Sequence, residues 1–287
     1  MGEPVLLKGA PVAKRIREAA AAEAVELKGK GRQPHLSVIL DPSAPDARMY
    51  ADSQRKACEA AGVKFSEHSY PAAHDALIDL IDRLNVDRGI TGLFLHTPAP
   101  AGIRLEEARA RMDPERDVEG IHPANLGALV LGVPVAVPCT AEAAVEMMRE
   151  SGVPYAGARA VIVGRSPTVG RAVALLLLAE KKSATVTVCH SATVDIASET
   201  LKADFLIVAM GKPGFVRGAM VREGAVVIDV GTNMVRQADG TEKLTGDVAF
   251  AEVAPKARAI TPVPGGVGPV TTACLVRNVV RCARRGA

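Results

Sequence analysis

The residues most suited to chemistry form a glycine-containing turn at residues 164–170. A β-branched run at residues 160–163 precedes the turn and a helical pattern follows it, so the turn joins a strand to a helix. Glycines let backbone N–H groups approach a phosphate closely, and a helix N-terminus favours its negative charge. The Gly-x-Ser-x-x-x-Gly spacing also fits an ordinary turn. We predict a nucleotide-binding turn with contacts from Gly164, Arg165, Ser166, Val169 and Gly170.

The residues after the next predicted strand indicate which nucleotide is bound. That strand ends at Cys189, and His190 and Ser191 follow it. Proteins specific for NAD usually carry an acidic residue here to bind the ribose 2′-hydroxyl. In this chain the first acidic residue after the strand is Asp195, several residues further on. The Ser191 hydroxyl and the Arg165 cation instead suit a 2′-phosphate, which favours NADP. The alternative is that Arg165 is a solvated loop cation and Ser191 caps a helix.

A second turn, Gly-Lys-Pro-Gly at residues 211–214, follows a later strand of the same predicted domain. Its Gly211, Lys212 and Pro213 are placed to border the nicotinamide or a ribose of a bound dinucleotide. The same composition is typical of a plain strand connection without a ligand.

Two hydrophobic patterns alternate along the chain and define the elements that position these turns. Short β-branched runs predict buried strands at residues 36–40, 90–95, 160–163, 185–188, 205–209 and 225–230. Helical spacing predicts helices at residues 12–27, 44–61, 76–84, 141–151, 169–179 and 270–282. The alternation predicts an α/β fold of right-handed βαβ units around parallel sheets.

Two segments rich in proline and glycine divide the chain. After residues 131–138, Thr140 is a predicted helix N-cap with Glu142 in the first turn. The second segment, residues 261–269, precedes a closing helix that returns to the first domain. Ligands usually bind in clefts between α/β domains of this kind. We predict two domains, residues 1–139 plus 262–287 and residues 140–261.

Composition excludes several classes of protein. Of 287 residues, 48% are hydrophobic and 23% are charged, as in proteins with a full hydrophobic core. A net charge of +3 and an aromatic content of 3% are too low for a nucleic-acid-binding surface. Apolar runs are too short for a membrane span, and the N-terminus begins no export signal.

Cysteine and histidine usage indicates the compartment and the absence of a metal. The five cysteines are odd in number and never spaced as Cys-x-x-Cys, which predicts a reducing, cytoplasmic environment. No metal-ligand spacing is formed by His35, His68, His74, His122 and His190. We therefore predict that no metal is bound.

Ordered motifs run along almost the whole chain. They are Tyr50 with residues 55–59, then residues 96–100, 116–123, 138–140, 164–170, 185–191, 211–215, 227–231 and 246–248. The most specific is Thr-Pro-Val-Pro-Gly-Gly-Val-Gly-Pro at residues 261–269. With these motifs, the sequence resembles the methylenetetrahydrofolate dehydrogenase/methenyltetrahydrofolate cyclohydrolase family.

This resemblance implies a folate-binding α/β domain and a Rossmann-like NADP-binding domain, usually in a homodimer. Family members oxidise the methylene bridge of methylenetetrahydrofolate with NADP, and most hydrolyse the methenyl product in the same cleft. The implied substrate site comprises Tyr50, Pro98, Glu119, Pro264, Gly265, Gly266 and Pro269. The implied cofactor site comprises Gly164, Arg165, Ser166, Val169, Gly170, His190, Ser191, Gly211, Lys212, Pro213 and Gly231.

The chain departs from the family pattern at the catalytic residues. Tyr50 is kept, but the lysine that follows it by four residues is here Gln54. Lys56 does not replace that lysine, because it lies roughly 200° further around the helix. The family glutamine before the proline motif is here His96, and the second aspartate of the Asp-Val-Asp-Gly motif is here Glu119.

These changes affect the two reactions differently. Hydride transfer needs mainly alignment of the methylene carbon with the nicotinamide. Hydrolysis needs an activated water, and Gln54 neither takes nor gives a proton. We therefore predict NADP-dependent oxidation of 5,10-methylenetetrahydrofolate with weak or absent cyclohydrolase activity, with Tyr50 stacking on the aminobenzoyl group.

Three alternatives remain at this stage. His96, with a reference pKa near 6.5, is a possible replacement base, which leaves a fully bifunctional enzyme. The longer side chain of Glu119 allows a paralogue that acts on a modified folate or another pterin-like substrate. A third alternative is a folate- or nucleotide-binding protein without catalytic activity.

Overall fold

The computed structural model describes residues 3–134, 136–179, 183–237 and 240–285. It divides into two compact units. The six-stranded unit, named after its sheet, comprises Thr140–Thr271 with the N-terminal residues up to Ala13. The three-stranded unit comprises Lys14–Cys139 with the C-terminal residues from Thr272.

Strands and helices alternate along the chain. The strands are β1 (Val5–Leu6), β2 (His35–Leu40), β3 (Lys64–Ser69), β4 (Gly92–Leu95), β5 (Arg159–Val163), β6 (Thr185–Cys189), β7 (Phe205–Val208), β8 (Val226–Asp229), β9 (Asn233–Arg236), β10 (Glu242–Thr245) and β11 (Ala259–Ile260). The helices are α1 (Gly9–Gly29), α2 (Pro45–Ala60), α3 (His74–Val86), α4 (Leu105–Arg111), α5 (Pro123–Val130), α6 (Cys139–Glu150), α7 (Gly170–Ala179), α8 (Ile196–Thr200), α9 (Phe250–Val253) and α10 (Val267–Arg285).

In the three-stranded unit, β2 lies between β3 and β4, and both pairings are parallel. Strands β2 and β4 are apolar along most of their length because both faces of the sheet are covered. Ile39 of β2, Leu93 of β4 and Leu77 and Ile81 of α3 pack in one core. The carboxyl ends of β2 and β4 therefore lie side by side, which places the start of α2 near the loop after β4.

The six-stranded sheet has the order β1-β11-β8-β7-β5-β6, and every neighbouring pair is parallel. The strand order reverses at β5, which pairs with β6 on one side and β7 on the other. Ligands of open α/β sheets bind at the carboxyl end of such a switch point. Val163, Val208 and Asp229 end β5, β7 and β8 in register, so the loops that follow them share one edge.

The predicted α/β fold class is confirmed, and each predicted strand and helix overlaps one in the structure. The elements without a clear sequence pattern are β1, β3, β9, β10, β11, α4, α5, α8 and α9. Strand β3 is polar and only half-buried, and β9 and β10 form a short antiparallel ribbon. Among the described residues, no helix has both the length and the apolar composition needed to cross a bilayer.

The unit boundaries differ from the predicted domains at the N-terminus and at residues 262–271, which belong with the six-stranded unit and not with the predicted first domain. Strand β1 pairs with β11, with Val5 opposite Ala259. The residues up to Ala13 therefore belong with the six-stranded unit, although the predicted first domain began at residue 1. A two-residue strand leaves no periodic signal in a sequence. Within the predicted boundary at residues 131–138, Val135 lies outside the described residues.

A buried asparagine joins α10 to the rest of the three-stranded unit. Asn278 is fully buried, and its Nδ2 donates to the backbone oxygens of Val118 (2.9 Å) and Val137 (3.1 Å). Both carbonyls lie in irregular segments without a backbone partner in a strand or helix, and the Val118 oxygen also accepts the Cys139 thiol over 3.3 Å. The amide of one side chain thus stabilises two loops.

We expect Asn278→Ala to lower the free energy of unfolding by about 2 to 3 kcal/mol, because both carbonyls lose a buried donor. Urea unfolding followed by circular dichroism measures the change. The matched control is Arg284→Ala, also on α10, which removes a solvent-accessible ion pair with Glu23 of α1 and should cost about 0.5 kcal/mol or less. Equal costs for the two variants would contradict the role given to Asn278.

Candidate active site

The three-stranded unit brings Tyr50, Gln54 and His96 together. Tyr50 and Gln54 lie one turn apart on α2, so their side chains share a face of that helix. His96 directly follows β4, and its Nε2 donates to Gln54 Oε1 over 2.9 Å. The Tyr50 ring meets the His96 ring edge-on, with centroids 5.6 Å apart. Three of the four residues predicted to be catalytic thus lie together.

The Gln54–His96 pair of this cluster is enclosed and uncharged, and Tyr50 is half-buried. Gln54 is 0% exposed and His96 is 1% exposed. Burial, helped by the positive charge of Arg48, lowers the pKa of His96 to about 4, so the imidazole is neutral at neutral pH. Its single proton is on Nε2, because Gln54 Oε1 only accepts hydrogen bonds. Burial also raises the pKa of the Tyr50 hydroxyl, which stays protonated.

Two features around the cluster were not predicted from the sequence. The Tyr70 hydroxyl donates to the backbone oxygen of His96 over 2.8 Å and fixes the start of the loop after β4. Gln54 Nε2 is buried and has no hydrogen-bond partner among the described residues. Tyr70 follows the polar strand β3, so no spacing relates it to His96. The predicted substrate residue Pro98 follows a cis peptide bond from Thr97, and it is exposed.

Glu119 lies in a loop that a buried carboxylate organises. Asp117 Oδ1 accepts the backbone N–H groups of Glu119 (3.1 Å) and Gly120 (2.9 Å). Its Oδ2 accepts those of His122 (2.7 Å) and the Asn125 side chain (2.8 Å). Asp117 therefore has a structural role. It fixes the backbone of the loop, and with it the position of Glu119.

The Glu119 side chain lines a small cavity beside Arg109, Leu95 and Met112. The cavity volume is about 10 Å³, enough for about one water. Burial raises the pKa of Glu119 to about 8, although the positive charge of Arg109 lowers it. Glu119 also acts electrostatically on Tyr50, whose pKa its negative charge raises. Gln54 and His96 thus lie beside Tyr50, and Glu119 is near enough to act on it electrostatically.

In the six-stranded unit, the turn at residues 164–170 requires both of its glycines. Gly164 has φ +128°, and a Cβ there would lie 2.2 Å from the Ala209 backbone oxygen. A Cβ at Gly170 would lie 2.0 Å from the Gly164 oxygen. The Gly-x-Ser-x-x-x-Gly spacing thus brings the start of α7 onto the end of β5. Ser166 Oγ accepts the Val169 N–H over 3.1 Å and closes the turn.

The residues predicted to select NADP lie at exposed positions of the same sheet edge. Arg165 and Ser191 are both exposed. Asp195, the nearest acidic residue, is the N-cap of α8 and accepts the Ser198 N–H over 3.0 Å. Ser191 therefore does not cap this helix, which removes that alternative for Ser191. His190 is held by a hydrogen bond from its N–H to Thr193 Oγ1 over 2.9 Å.

The predicted residues of the second turn follow β7 along the same sheet edge. Gly211 has φ +65°, a conformation that favours glycine. The Lys212 Nζ lies 5.9 Å from the centroid of the Phe215 ring. Gly231 follows β8, and its N–H donates to Asp229 Oδ1 over 2.9 Å.

The C-terminal predicted segment has a packing role at its glycines. Pro264 follows a cis Val263–Pro264 bond, and Gly265 has φ +98°. The Gly265 backbone oxygen accepts the N–H of Gly9 over 2.8 Å, and a Cβ at Gly9 would lie 1.9 Å from the Gly266 oxygen. This close contact requires a glycine at position 9, whereas Gly265 is favoured by its positive φ, and a Cβ at Gly266 would lie 2.6 Å from the Pro262 oxygen. Pro269 lies in the first turn of α10.

Comparison with known proteins identifies relatives over the full length of the chain. Residues 7–119 match the tetrahydrofolate dehydrogenase/cyclohydrolase catalytic domain, and residues 138–287 match the NAD(P)-binding domain of the same family. The bifunctional protein FolD of Geotalea daltonii is 42% identical over 282 residues, covering 98% of this chain and 99% of the relative.

Solved structures agree with this assignment. The bifunctional FolD of Campylobacter jejuni has a TM-score of 0.91 and 38% identity, with 98% of each chain covered. The Trypanosoma brucei FolD, solved with NADP and an inhibitor, has a TM-score of 0.91 and 39% identity, with 99% of each chain covered.

These findings confirm the resemblance, the two-domain α/β fold and a nicotinamide nucleotide cofactor. The name shared by the relatives supports the alternative of two activities better than the predicted loss of the hydrolytic one. The chain belongs to the tetrahydrofolate dehydrogenase/cyclohydrolase family.

Proposed function

We propose that this chain oxidises 5,10-methylenetetrahydrofolate with NADP and hydrolyses the methenyl product more slowly than relatives with a lysine at position 54. The observation that carries the proposal is the uncharged Gln54–His96 pair at the position of the family lysine–glutamine pair. The names of the relatives support both activities, and the pair limits only the second.

The six-stranded unit fits NADP. Gly164 and Gly170 let the end of β5, Ala209 and the start of α7 pack closely together, and the N-terminus of α7 is suited to bind a pyrophosphate. Exposed Arg165 and Ser191 are suited to hold a 2′-phosphate, and no acidic side chain at the strand end competes for the 2′-hydroxyl. When bound, NADP supplies the hydride acceptor of the oxidation.

The three-stranded unit orients the folate. The Tyr50 ring is suited to stack on the aminobenzoyl group. Glu119, protonated at neutral pH because of its raised pKa, offers one donor and one acceptor to the amino-pyrimidine edge of the pterin. Orientation by these two groups is what hydride transfer requires of the protein. A modified pterin remains the second candidate substrate, since Glu119 is one methylene longer than aspartate.

Hydrolysis depends on moving protons, which the Gln54–His96 pair does poorly. An amide acts neither as an acid nor as a base near neutral pH, and His96 donates its one ring proton to Gln54. The neutral imidazole is also a weak base, because burial lowers its pKa to about 4. The pair is thus suited to orient a water rather than to activate it.

We expect Gln54→Lys to raise the ratio of hydrolysis to oxidation by about 10-fold or more, since a positioned acid–base group contributes at least that factor. The assay follows NADPH formation and methenyl decay at two wavelengths in one mixture. Ser53→Lys, which adds the same charge at an exposed position of α2, should leave the ratio unchanged. A folded Gln54→Lys variant with normal oxidation and no gain in hydrolysis would contradict the proposal.

The protonation state of His96 predicts a change of stability with pH. The folded-state pKa is lowered from 6.5 to about 4, so the unfolded chain binds more protons between these values. Stability from the neutral ring is present above pH 6.5 and is lost as the pH falls towards 4. Relative to His96→Gln, the wild type should lose about 2 kcal/mol of unfolding free energy between pH 7.5 and pH 5. Parallel losses in urea titrations of the two proteins would refute a neutral His96.

We expect Arg165→Ala to raise the KM for NADP by about 10- to 100-fold, the factor for one charge-assisted hydrogen bond to phosphate. The KM for NAD serves as the control and should not change, because NAD lacks the 2′-phosphate. Steady-state kinetics with both nucleotides provide the measurement. An equal rise for NAD would show that Arg165 shapes the turn instead of binding the phosphate.

A cytoplasmic location and a homodimer complete the proposal. All five cysteines are free and buried, which suits a reducing compartment. The homodimer rests on the family resemblance, and size-exclusion chromatography with light scattering tests it.

A further inference from the structure

One buried carboxylate holds the second turn of the six-stranded unit. Asp247 is 0% exposed, and its Oδ2 accepts the backbone N–H groups of Met210 (2.5 Å) and Gly211 (2.9 Å). Its Oδ1 accepts the N–H of Lys212 over 2.8 Å. Three consecutive donors, which have no strand or helix partner, therefore converge on one side chain.

Asp247 is itself held in place from two sides. Asn233 Nδ2 donates to Asp247 Oδ1 over 2.8 Å. Asp229 Oδ1 accepts the backbone N–H of Asp247 (3.0 Å), and Asp229 Oδ2 accepts that of Val248 (3.0 Å). The Asp247 carboxylate thus has little freedom to move, and the turn that it binds is fixed relative to the end of β8.

Two glycines are required by the close approach of these carboxylates. A Cβ at Gly231 would lie 2.4 Å from Asp247 Cγ, and a Cβ at Gly246 would lie 1.9 Å from Asp229 Oδ2. Gly231 is among the residues predicted to bind the cofactor. In the structure its missing side chain makes room for Asp247.

The turn lies beside the nucleotide-binding turn. Strand β7 ends at Val208, in register with Val163 at the end of β5. The next residue, Ala209, is so close to Gly164 that a Cβ on Gly164 would lie 2.2 Å from its oxygen. Residues 210–212 therefore follow the first turn along the same sheet edge, within one unit.

We propose that Asp247 is a positioning residue for the dinucleotide, because it fixes the turn at residues 210–212 that borders the nicotinamide half of NADP. The inference rests on the proposed NADP-dependent function. Asp247 is fully buried and acts through the backbone of the turn rather than by touching the nucleotide.

The test is Asp247→Asn, which keeps the size of the side chain but replaces one acceptor oxygen with a donor facing N–H groups. We expect the KM and the Kd for NADP to rise by about 10-fold or more, since hydrogen bonds to a charged acceptor are lost. The KM for methylenetetrahydrofolate should change by less than about two-fold. The primary deuterium isotope effect on hydride transfer should increase, because a misplaced nicotinamide makes that step slower relative to the others. A variant that is only less stable would not change the isotope effect.

Two further variants keep the test informative. Glu252→Gln is the matched control, since the Glu252 carboxylate also accepts a backbone N–H, that of Gly218 over 3.1 Å, but lies at an exposed position. It should leave the KM for NADP unchanged. Asn233→Ala loosens Asp247 without changing its charge and should shift the KM for NADP in the same direction by about three-fold. This variant decides the matter if Asp247→Asn does not fold.

The outcomes separate this inference from the proposed function. Wild-type protein that binds no NADP in calorimetry overturns the proposed function and this inference with it. Wild-type binding, combined with folded Asp247→Asn or Asn233→Ala variants that keep normal NADP affinity and isotope effect, overturns only the inference. Equal losses for NADP and the folate also overturn it, because they indicate a general structural role.

Discussion

Loops in both units have backbone N–H groups without strand or helix partners, and buried aspartates accept hydrogen bonds from them. Asp117 does so in the three-stranded unit, and Asp229 and Asp247 do so in the six-stranded unit. Each carboxylate accepts several donors, which offsets the cost of burying its charge. Site residues on these loops, among them Glu119 and Gly211, are placed only because this constraint is met.

The roles of Asp229 and Asp247 did not follow from the sequence. Alternating hydrophobic patterns predicted the strands at the centre of each sheet, because those strands are apolar on both faces. They did not predict β3, whose polar side chains are half-buried, or β1, which is too short for any period. Asp247 is one of many acidic residues in the sequence, and its role follows only from the turn that folding brings to it.

In the candidate site, too, sequence patterns predicted contacts within one element but not contacts between elements. The face shared by Tyr50 and Gln54 followed from helical spacing. The contact of Gln54 with His96 joins a helix to a strand end, and the Tyr70 hydrogen bond joins two more segments, so no local pattern predicts them. The resemblance to a family identified Gln54, His96 and Glu119 as departures. The structure adds that Gln54 and His96 form one uncharged, hydrogen-bonded pair.

The unpaired Gln54 Nε2 has a consequence for selective ligands. A buried amide donor without an acceptor carries a desolvation cost of about 1 to 3 kcal/mol, and any compound that reaches it with a neutral oxygen or ring nitrogen recovers that energy. A lysine ammonium at this position would favour an anionic group instead. We therefore expect a compound with a neutral acceptor group to bind better beside Gln54 than beside a lysine at the same position.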